Sequence, residues 1–396
     1  MNKLPDNWKM EHLKSFGIFI RGVSYKKGQL LKEKTLNSVF LLRANNIQEK
    51  LDLSDLQIIP KKFAEEKIIQ NNDILFAMSS GSKNIVGKNI LLKDLKDYSF
   101  GAFCGLFRIT TKKLNPTFLS YFLKSDFYKR YIIKYARGTN INNLRFSDLE
   151  NLLIPIPPIA IQKQIAEKLD YLFDKIDKAL TFLKENKEYI KKYRLSILKY
   201  AFEGKLTPSS KNLGMNKLPN DWRELPFSEC VNKISIKYKI KQKYYLKNGK
   251  YPIIDQGQNF ISGYSNDEIT INIKKPVIVF GDHTRCFKYI DFDFIAGADG
   301  IQILEPKEFF NEKLFYYFCL ILDFPNKGYS RHYQYLAKTI IKIPPLETQK
   351  EIVSILDKKF KAMDEIERLN NENIENLLLL KKSLLKEAFS GKLDTK

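Results

Sequence analysis

Two short clusters hold a concentration of hydrogen-bonding side chains. Phe280-Gly281-Asp282-His283-Thr284-Arg285 follows the apolar run Val277 to Val279, and Arg331-His332-Tyr333-Gln334 forms a second set. A third stretch, Arg137-Gly138-Thr139-Asn140-Ile141-Asn142-Asn143-Leu144-Arg145, mixes guanidinium and amide groups on a flexible backbone. Arginine can grip two acceptors of guanine at once, and asparagine or glutamine pairs with adenine in the same bidentate way, so these groups suit reading of DNA base edges. Catalytic readings find less support. His283 and Cys286 have an H-x-x-C spacing, but no further Cys or His group lies at ligand spacing, so a structural or DNA-contacting histidine is expected and no metal site. Glu65-Glu66-Lys67 contains the E-x-K of nucleases without a suitably placed acidic partner, and a solvated charge run explains it better. A D/N-P-P-Y/F sequence, a glycine-rich loop suited to adenosylmethionine and a Walker phosphate loop are all missing. No catalytic constellation is expected.

Lysines supply a different chemistry. Lys233, Lys237, Lys239, Lys241, Lys243, Lys247 and Lys250 follow one another with no acid between them. Such point charges suit phosphate, which carries affinity and not sequence reading; a solvated edge strand is the alternative. From Arg108 to Arg145 there are nine Lys or Arg and one acid, Asp126. The aromatics in that stretch, Phe118, Phe122, Phe127 and Tyr131, recur at helical spacing, which favours core packing over base stacking.

The elements that must hold these groups are written twice. Met1 to Trp8 (MNKLPDNW) returns as Met215 to Trp222 (MNKLPNDW), an offset of 214. Ile154 to Thr207 aligns without a gap to Ile341 to Asp394 at an offset of 187, with 22 of 54 positions identical, far above chance. The difference between the offsets makes the first intervening block 27 residues longer than the second. The frame repeats while the blocks, about 9 to 150 and 223 to 340, barely resemble each other. That pattern suggests two readers of different things on a common chassis.

Each repeat reads as one long helix. Pro157-Pro158 and Pro344-Pro345 stand where proline can start a helix but not continue one. Apolar residues then recur at alternating steps of three and four, the spacing of a coiled-coil seam. The predicted seam is Ile176, Ala179, Leu183, Asn186, Ile190, Tyr193 and Ile197 in one copy and Met363, Ile366, Asn370, Asn373, Leu377, Leu380 and Leu384 in the other. Gly204 and Gly391 fit left-handed caps. A helix of about 40 to 45 residues spans roughly 60 to 65 Å and needs a partner, most obviously the other copy. Antiparallel pairing would place the blocks at opposite ends of a rod, with Asn186 and Asn373 fixing register; packing of each stripe on its own block is the alternative. Block one alternates short β-type runs, Val39 to Leu42 and Asp73 to Ala77, with turns, then enters a predicted helix from Pro116 to Ala136.

A chain of 396 residues suggests about two to three domains. The formal charge of +22 suits a polyanion partner, nucleic acid being the commonest, with a lysine-rich proteome bias as the alternative. With no apolar leader and no long apolar run, no secretory signal and no membrane span are expected. Four scattered cysteines read as free thiols, with the cytoplasm as default compartment.

Taken in order, Leu42-Arg43-Ala44-Asn45-Asn46-Ile47, Asn72-Asp73-Ile74-Leu75, the paired Ile-Pro-Pro and Gln-Lys elements, Tyr251-Pro252-Ile253-Ile254, Gly263-Tyr264, Phe280 to Arg285 and Gly297-Ala298-Asp299-Gly300 resemble the specificity (S) subunits of Type I restriction-modification systems, over essentially the whole chain. The resemblance implies an α+β protein with two α/β target recognition domains, 1–153 and 211–340. Two conserved long helices, 154–210 and 341–396, would pair as an antiparallel spacer under a pseudo-two-fold repeat. Each domain would read one half of an interrupted site in double-stranded DNA. Two methyltransferase (M) subunits would bind, with restriction (R) subunits joining for cleavage. S-adenosylmethionine, ATP and Mg2+ would sit on those partners, and no cofactor on this chain. The candidate DNA-contacting residues are then Arg43, Asn45, Asn46, Ser80, Lys83, Arg137, Asn140, Asn142 and Arg145 in block one. Block two offers Lys241, Lys243, Gln256, Gln258, Asp282, His283, Thr284, Arg285, Arg331, His332, Tyr333 and Gln334. Block one departs from the pattern in lacking the compact Arg-His-Tyr-Gln form.

Overall fold

The computed structural model describes residues 4–80, 85–135, 142–207, 221–297, 300–328 and 330–394. They fall into two compact units: Met1–Phe182 with Glu372–Lys396, and Leu183–Asn371. Each long helix therefore gives one half to each unit.

In the first unit, strands β1 (Lys9–His12), β2 (Gly17–Arg21), β3 (Ser38–Leu42), β4 (Gln57–Pro60) and β5 (Ile74–Ala77) come first. They are followed by β6 (Ser79–Ser80), β7 (Asn89–Leu91), β8 (Tyr98–Phe100) and β9 (Cys104–Ile109). Helices α1 (Pro116–Phe122) and α2 (Asp126–Tyr135), strand β10 (Asn142–Asn143), helix α3 (Phe146–Glu150) and strand β11 (Leu153–Ile156) lead into the long helix α4 (Ile159–Phe202). The second unit runs through β12 (Arg223–Pro226), β13 (Val231–Ile234), β14 (Tyr251–Ile254), β15 (Gly263–Ser265) and β16 (Val277–Gly281). It continues with β17 (Phe287–Ile290), β18 (Ile295–Ala296), β19 (Ile301–Pro306), α5 (Glu312–Cys319), α6 (Tyr333–Leu336), β20 (Ile340–Ile343) and the second long helix, α7 (Leu346–Phe389).

The two blocks, so different in sequence, share one topology. A four-stranded sheet ordered β2-β9-β5-β7 in the first unit matches β13-β19-β16-β17 in the second. A three-stranded sheet follows, β4-β3-β8 against β15-β14-β18, in which the middle strand pairs antiparallel on one side and parallel on the other. Entry and exit of each block are closed by a two-stranded ladder, β1-β11 or β12-β20. Strands β5 and β16 are buried along their whole length, as four or five successive apolar residues between covered faces require. The predicted helix from Pro116 to Ala136 is two helices, interrupted at Leu123 to Ser125. Among the described residues block two has no counterpart of α2 between Cys319 and Tyr333.

The repeated Gln-Lys landmark has a structural cause. Gln162 and Gln349 are fully buried just inside their long helices. Gln162 Oε1 accepts from the Asn115 N–H, and its amide donates to the carbonyls of Lys113 and Pro157. Gln349 repeats this with Asn311, Phe309 and Pro344. Asn115 and Asn311 in turn cap α1 and α5. Each block is further tied to its helix by a tyrosine donating to an aspartate, Tyr121 to Asp170 and Tyr317 to Asp357. Burial, then the neighbouring carboxylate, pushes both phenols well above their ordinary range.

Both long helices have 44 residues, about 66 Å, and both end on a left-handed glycine, Gly204 and Gly391, at φ 72°. A Cβ on Gly391 would meet the ring of Pro5 at 2.4 Å, so glycine is also what lets the N-terminal segment close on this helix end. Within the second unit the helices pair antiparallel: Asn186 contacts Asn370, and Arg194 bonds Asp364 while stacking over Phe360. The first unit repeats the latter set at the same offset, Lys381 with Asp177 over Phe173. The covered stripe keeps Ile176, Ile190, Ile197 and Met363 of the predicted seam and departs from it elsewhere. Asn373 is exposed, as are Ile366, Leu380 and Tyr193, while Phe173, Leu180, Phe360 and Leu385 are buried. A straight helix drifts about 20° per heptad against a strict seven-residue repeat, so the buried face slides off a seam drawn at constant steps. The polar partner of Asn186 is Asn370, whose Nδ2 is buried with no bond among the described residues. Asn186→Leu together with Asn370→Leu should therefore raise stability by about 1 kcal/mol, measured by the urea midpoint. A lowered midpoint would show that the amide pair holds the register.

Candidate nucleic-acid interface

In the second unit the C-terminal ends of β14, β16 and β18 bring Gln256, the turn from Asp282 to Arg285, and Gly300 to one place. A further segment, from Ser330 to Tyr333, joins them through His332. This ring is completely buried; Nδ1 lies 2.8 Å from the Asp282 carbonyl and Nε2 accepts from the Lys327 N–H. The Asp282 carboxylate accepts from the Tyr333 N–H at 2.7 Å, and Tyr333 packs its ring on Phe227 and Phe280 with Lys233 over its face. Asp282, His332 and Tyr333, expected at the DNA surface, instead join two loops from inside. Arg285, also expected at the DNA surface, is turned back into the fold as well. It sits at φ 62° in the tight turn closing β16 onto β17, stacks over Phe324 and donates to its carbonyl at 2.8 Å. The cation is spent within the fold.

What remains outward is compact. Gln258, Thr284, Arg331 and Gln334 are exposed, and His283 and Gln256 are half-buried beside them. The Thr284 hydroxyl donates to the Gln256 carbonyl at 2.6 Å. A Cβ on Gly300 would lie 2.7 Å from both Gln256 Oε1 and the His283 ring, so only glycine lets those side chains meet. Beneath them lies Lys288, 3% exposed, on β17. Burial pulls its ammonium below the ordinary lysine range, opposed by the nearby Asp255 carboxylate. Lys233 is exposed on the edge strand β13, while Lys237, Lys241, Lys243, Lys247 and Lys250 are exposed beyond it.

The first unit builds the same loop positions from other residues. After β3 the Asn46 side chain is buried, accepting from the Arg43 N–H and donating to the Asp52 and Asp55 carbonyls, so it holds the turn and is removed from the candidate surface. Arg43 pairs with Asp55, and its Nε is buried without a partner. Asn45 is exposed. Arg43 and Asn45 edge a cavity of about 670 Å³ with Ser24, Tyr25, Ser79 and Phe103. Phe103 is 69% exposed, on a turn whose carbonyl accepts from Met78 and Ser79. Ladder β6-β10 sets Ser80 opposite Asn142. The Leu144 N–H then bonds the Met78 carbonyl as the His332 N–H bonds that of Asp282. Leu144 thus holds the backbone place of His332, while the bonds of the His332 ring and the Asp282 carboxylate have no equivalent at Leu144 and Met78. Arg145 is exposed. Lys83, Arg137 and Asn140 lie outside the described residues.

Sequence reasoning missed Phe103 and Lys288. A lone phenylalanine between strands reads as core, and a lysine in a strand reads as solvated; only long-range packing inverts both. Among the described residues no group of His, Cys, Asp and Glu is arranged to hold a metal ion. No helix there is long and apolar enough to cross a membrane.

The comparisons agree on a family. Residues 5–193 and 219–376 match the Type I restriction modification DNA specificity domain. The chain is 30% identical to the Type I restriction enzyme StySPI specificity subunit of Salmonella potsdam, over 99% of this chain and 90% of that one. It is 28% identical to the EcoKI specificity subunit of Escherichia coli K12, with the same coverage. Its fold matches a chain from a type I R-M system assembly with a TM-score of 0.77 at 19% identity, covering 99% of this chain and all of that one. The HsdS subunit of Thermoanaerobacter tengcongensis follows at 0.54, also 19% identical, covering 99% and 98%. With two matched copies spanning most of its length, the chain belongs to the Type I restriction-modification DNA specificity family.

Proposed function

We propose that this DNA specificity subunit reads an interrupted site half by half, each unit presenting its four loop positions to one half-site. The observation carrying this reading is one topology holding two unlike side-chain sets at equivalent loops: Arg43, Asn45 and Arg145 in one, Gln256, Gln258, His283, Thr284 and Arg331 in the other. Those groups specify bases, whereas the exposed lysines from Lys237 to Lys250 grip phosphate. Ser80, Lys83, Arg137, Asn140 and Asn142 belong to the proposed block-one set on sequence grounds. The paired helices set the gap. Two methyltransferase subunits dock on the exposed apolar residues that the pairing leaves uncovered, such as Tyr189, Tyr193 and Leu369 in one unit and Phe182 and Leu379 in the other. Restriction subunits join that assembly, and S-adenosylmethionine, ATP and Mg2+ are held by the partners.

The test uses the full chain with its methyltransferase subunit and a panel of DNA sites. His283→Ala with Thr284→Ala should relax discrimination in one half-site alone, by about 1 to 3 kcal/mol for each bidentate pair with a base that is removed. Replacing Lys241, Lys243 and Lys247 by Gln should weaken every sequence alike and flatten the salt dependence. A uniform loss from the His283 and Thr284 changes would remove that loop from base reading.

A further inference from the structure

Lys288 is buried on β17, where an apolar side chain would ordinarily sit. Burying an ammonium is costly, and well-packed apolar replacements of buried ionic groups are often neutral or stabilising. Its three donors nevertheless face three acceptors. Nζ lies 2.8 Å from the Asp255 carbonyl, 2.6 Å from the Asn259 carbonyl and 3.8 Å from the Asp255 carboxylate. That carboxylate also accepts from the Gly257 N–H at 2.8 Å, the Ser262 hydroxyl at 2.5 Å and the Tyr245 hydroxyl at 3.3 Å. One cation thus gathers both ends of a five-residue loop, Asp255 to Asn259, in which Gln258 and Asn259 are exposed. The loop lacks a buried apolar residue of its own. The first unit closes the equivalent loop after β3 with the neutral Asn46 amide.

We infer that Lys288 is a positioning residue for DNA reading: it clamps the Asp255–Asn259 loop so that Gln256 and Gln258 meet base edges in one fixed shape. This rests on the assignment of that loop to base reading. Specificity in the second half-site then depends on a side chain that never touches DNA, while the first half-site does not depend on it.

The experiment uses the full chain assembled with its methyltransferase subunit and DNA sites carrying every single base change in both half-sites. Lys288→Met should cost tenfold or more in discrimination at second-half-site positions. It should leave first-half-site discrimination and the salt slope unchanged, since a buried lysine binds no phosphate. Lys288→Arg, which keeps the charge and several donors, should restore part of the discrimination. Unchanged discrimination in a folded Lys288→Met complex overturns the inference. Should that variant fail to fold, Lys288→Gln, which keeps a donor for one carbonyl, is held to the same criterion. Gln256→Ala and Gln258→Ala separate the two levels. If they alter second-half-site discrimination and Lys288→Met does not, the clamp alone is wrong. If neither glutamine matters, the base-reading assignment falls and the clamp with it.

Discussion

A fragment ending at Ser210 is expected to form a dimer that directs methylation to an interrupted palindrome containing the first half-site twice. In the first unit the end of α7 completes the core: Leu385 and Ala388 are buried, and Phe389 stands edge-on to Phe118 and Phe122 at 5.2 Å from each. The fragment lacks those residues. It holds their equivalents at the 187 offset, Leu198, Ala201 and Phe202, identical in type, which do the same work against Phe318 in the second unit. A second copy can therefore supply the missing surface, with Arg194 taking the place of Lys381 opposite Asp177. Left alone, the fragment exposes the apolar patch around Phe118 and Phe122. A symmetric dimer requires a symmetric site. Sedimentation and methylation mapping test this; a soluble monomer, or a dimer still selecting the asymmetric parental site, would show that the halves are not interchangeable.

Asp73→Ala should destabilise the first unit by about 3 kcal/mol, because it leaves a half-buried guanidinium without its carboxylate. The Asp73 side chain is 2% exposed and that of Arg108 19%. The pair is bidentate, at 3.0 and 2.7 Å, and fastens β5 to β9 where Arg108 also reaches the Ile68 carbonyl. Urea unfolding should show the destabilisation, and Arg108→Met added to Asp73→Ala should recover much of it by removing the stranded charge. A double variant no more stable than the single one would mean that packing around Asp73, and not the unpaired charge, dominates.

Features resting on local rules were open to reading from the chain. The constant offset of 187, the helix starts after Pro158 and Pro345 and the left-handed ends at Gly204 and Gly391 depend on residues within a turn or two of one another. Strands β3 and β5 were visible as short β-type runs. The tertiary structure decided what depends on distant partners. Strand pairing asks only for apolar residues at the right parity, so two unrelated sequences could build one topology without showing it. The direction of a polar side chain follows from the group that meets it: a buried Asp282 carbonyl turned His332 inward, Phe324 drew Arg285 back, and the Asp52 and Asp55 carbonyls captured Asn46. The helix face was readable as amphipathic, but which stripe is covered was settled by the partner helix, which buried Asn370 and left Asn373 in solvent. By itself the sequence determined that one frame is used twice with two different inserts. Which side chains of those inserts face outward was decided by contacts between residues far apart in the chain, such as His332 to Asp282, because burial of a polar group is set by the nearest available hydrogen-bond partner in space and not along the chain.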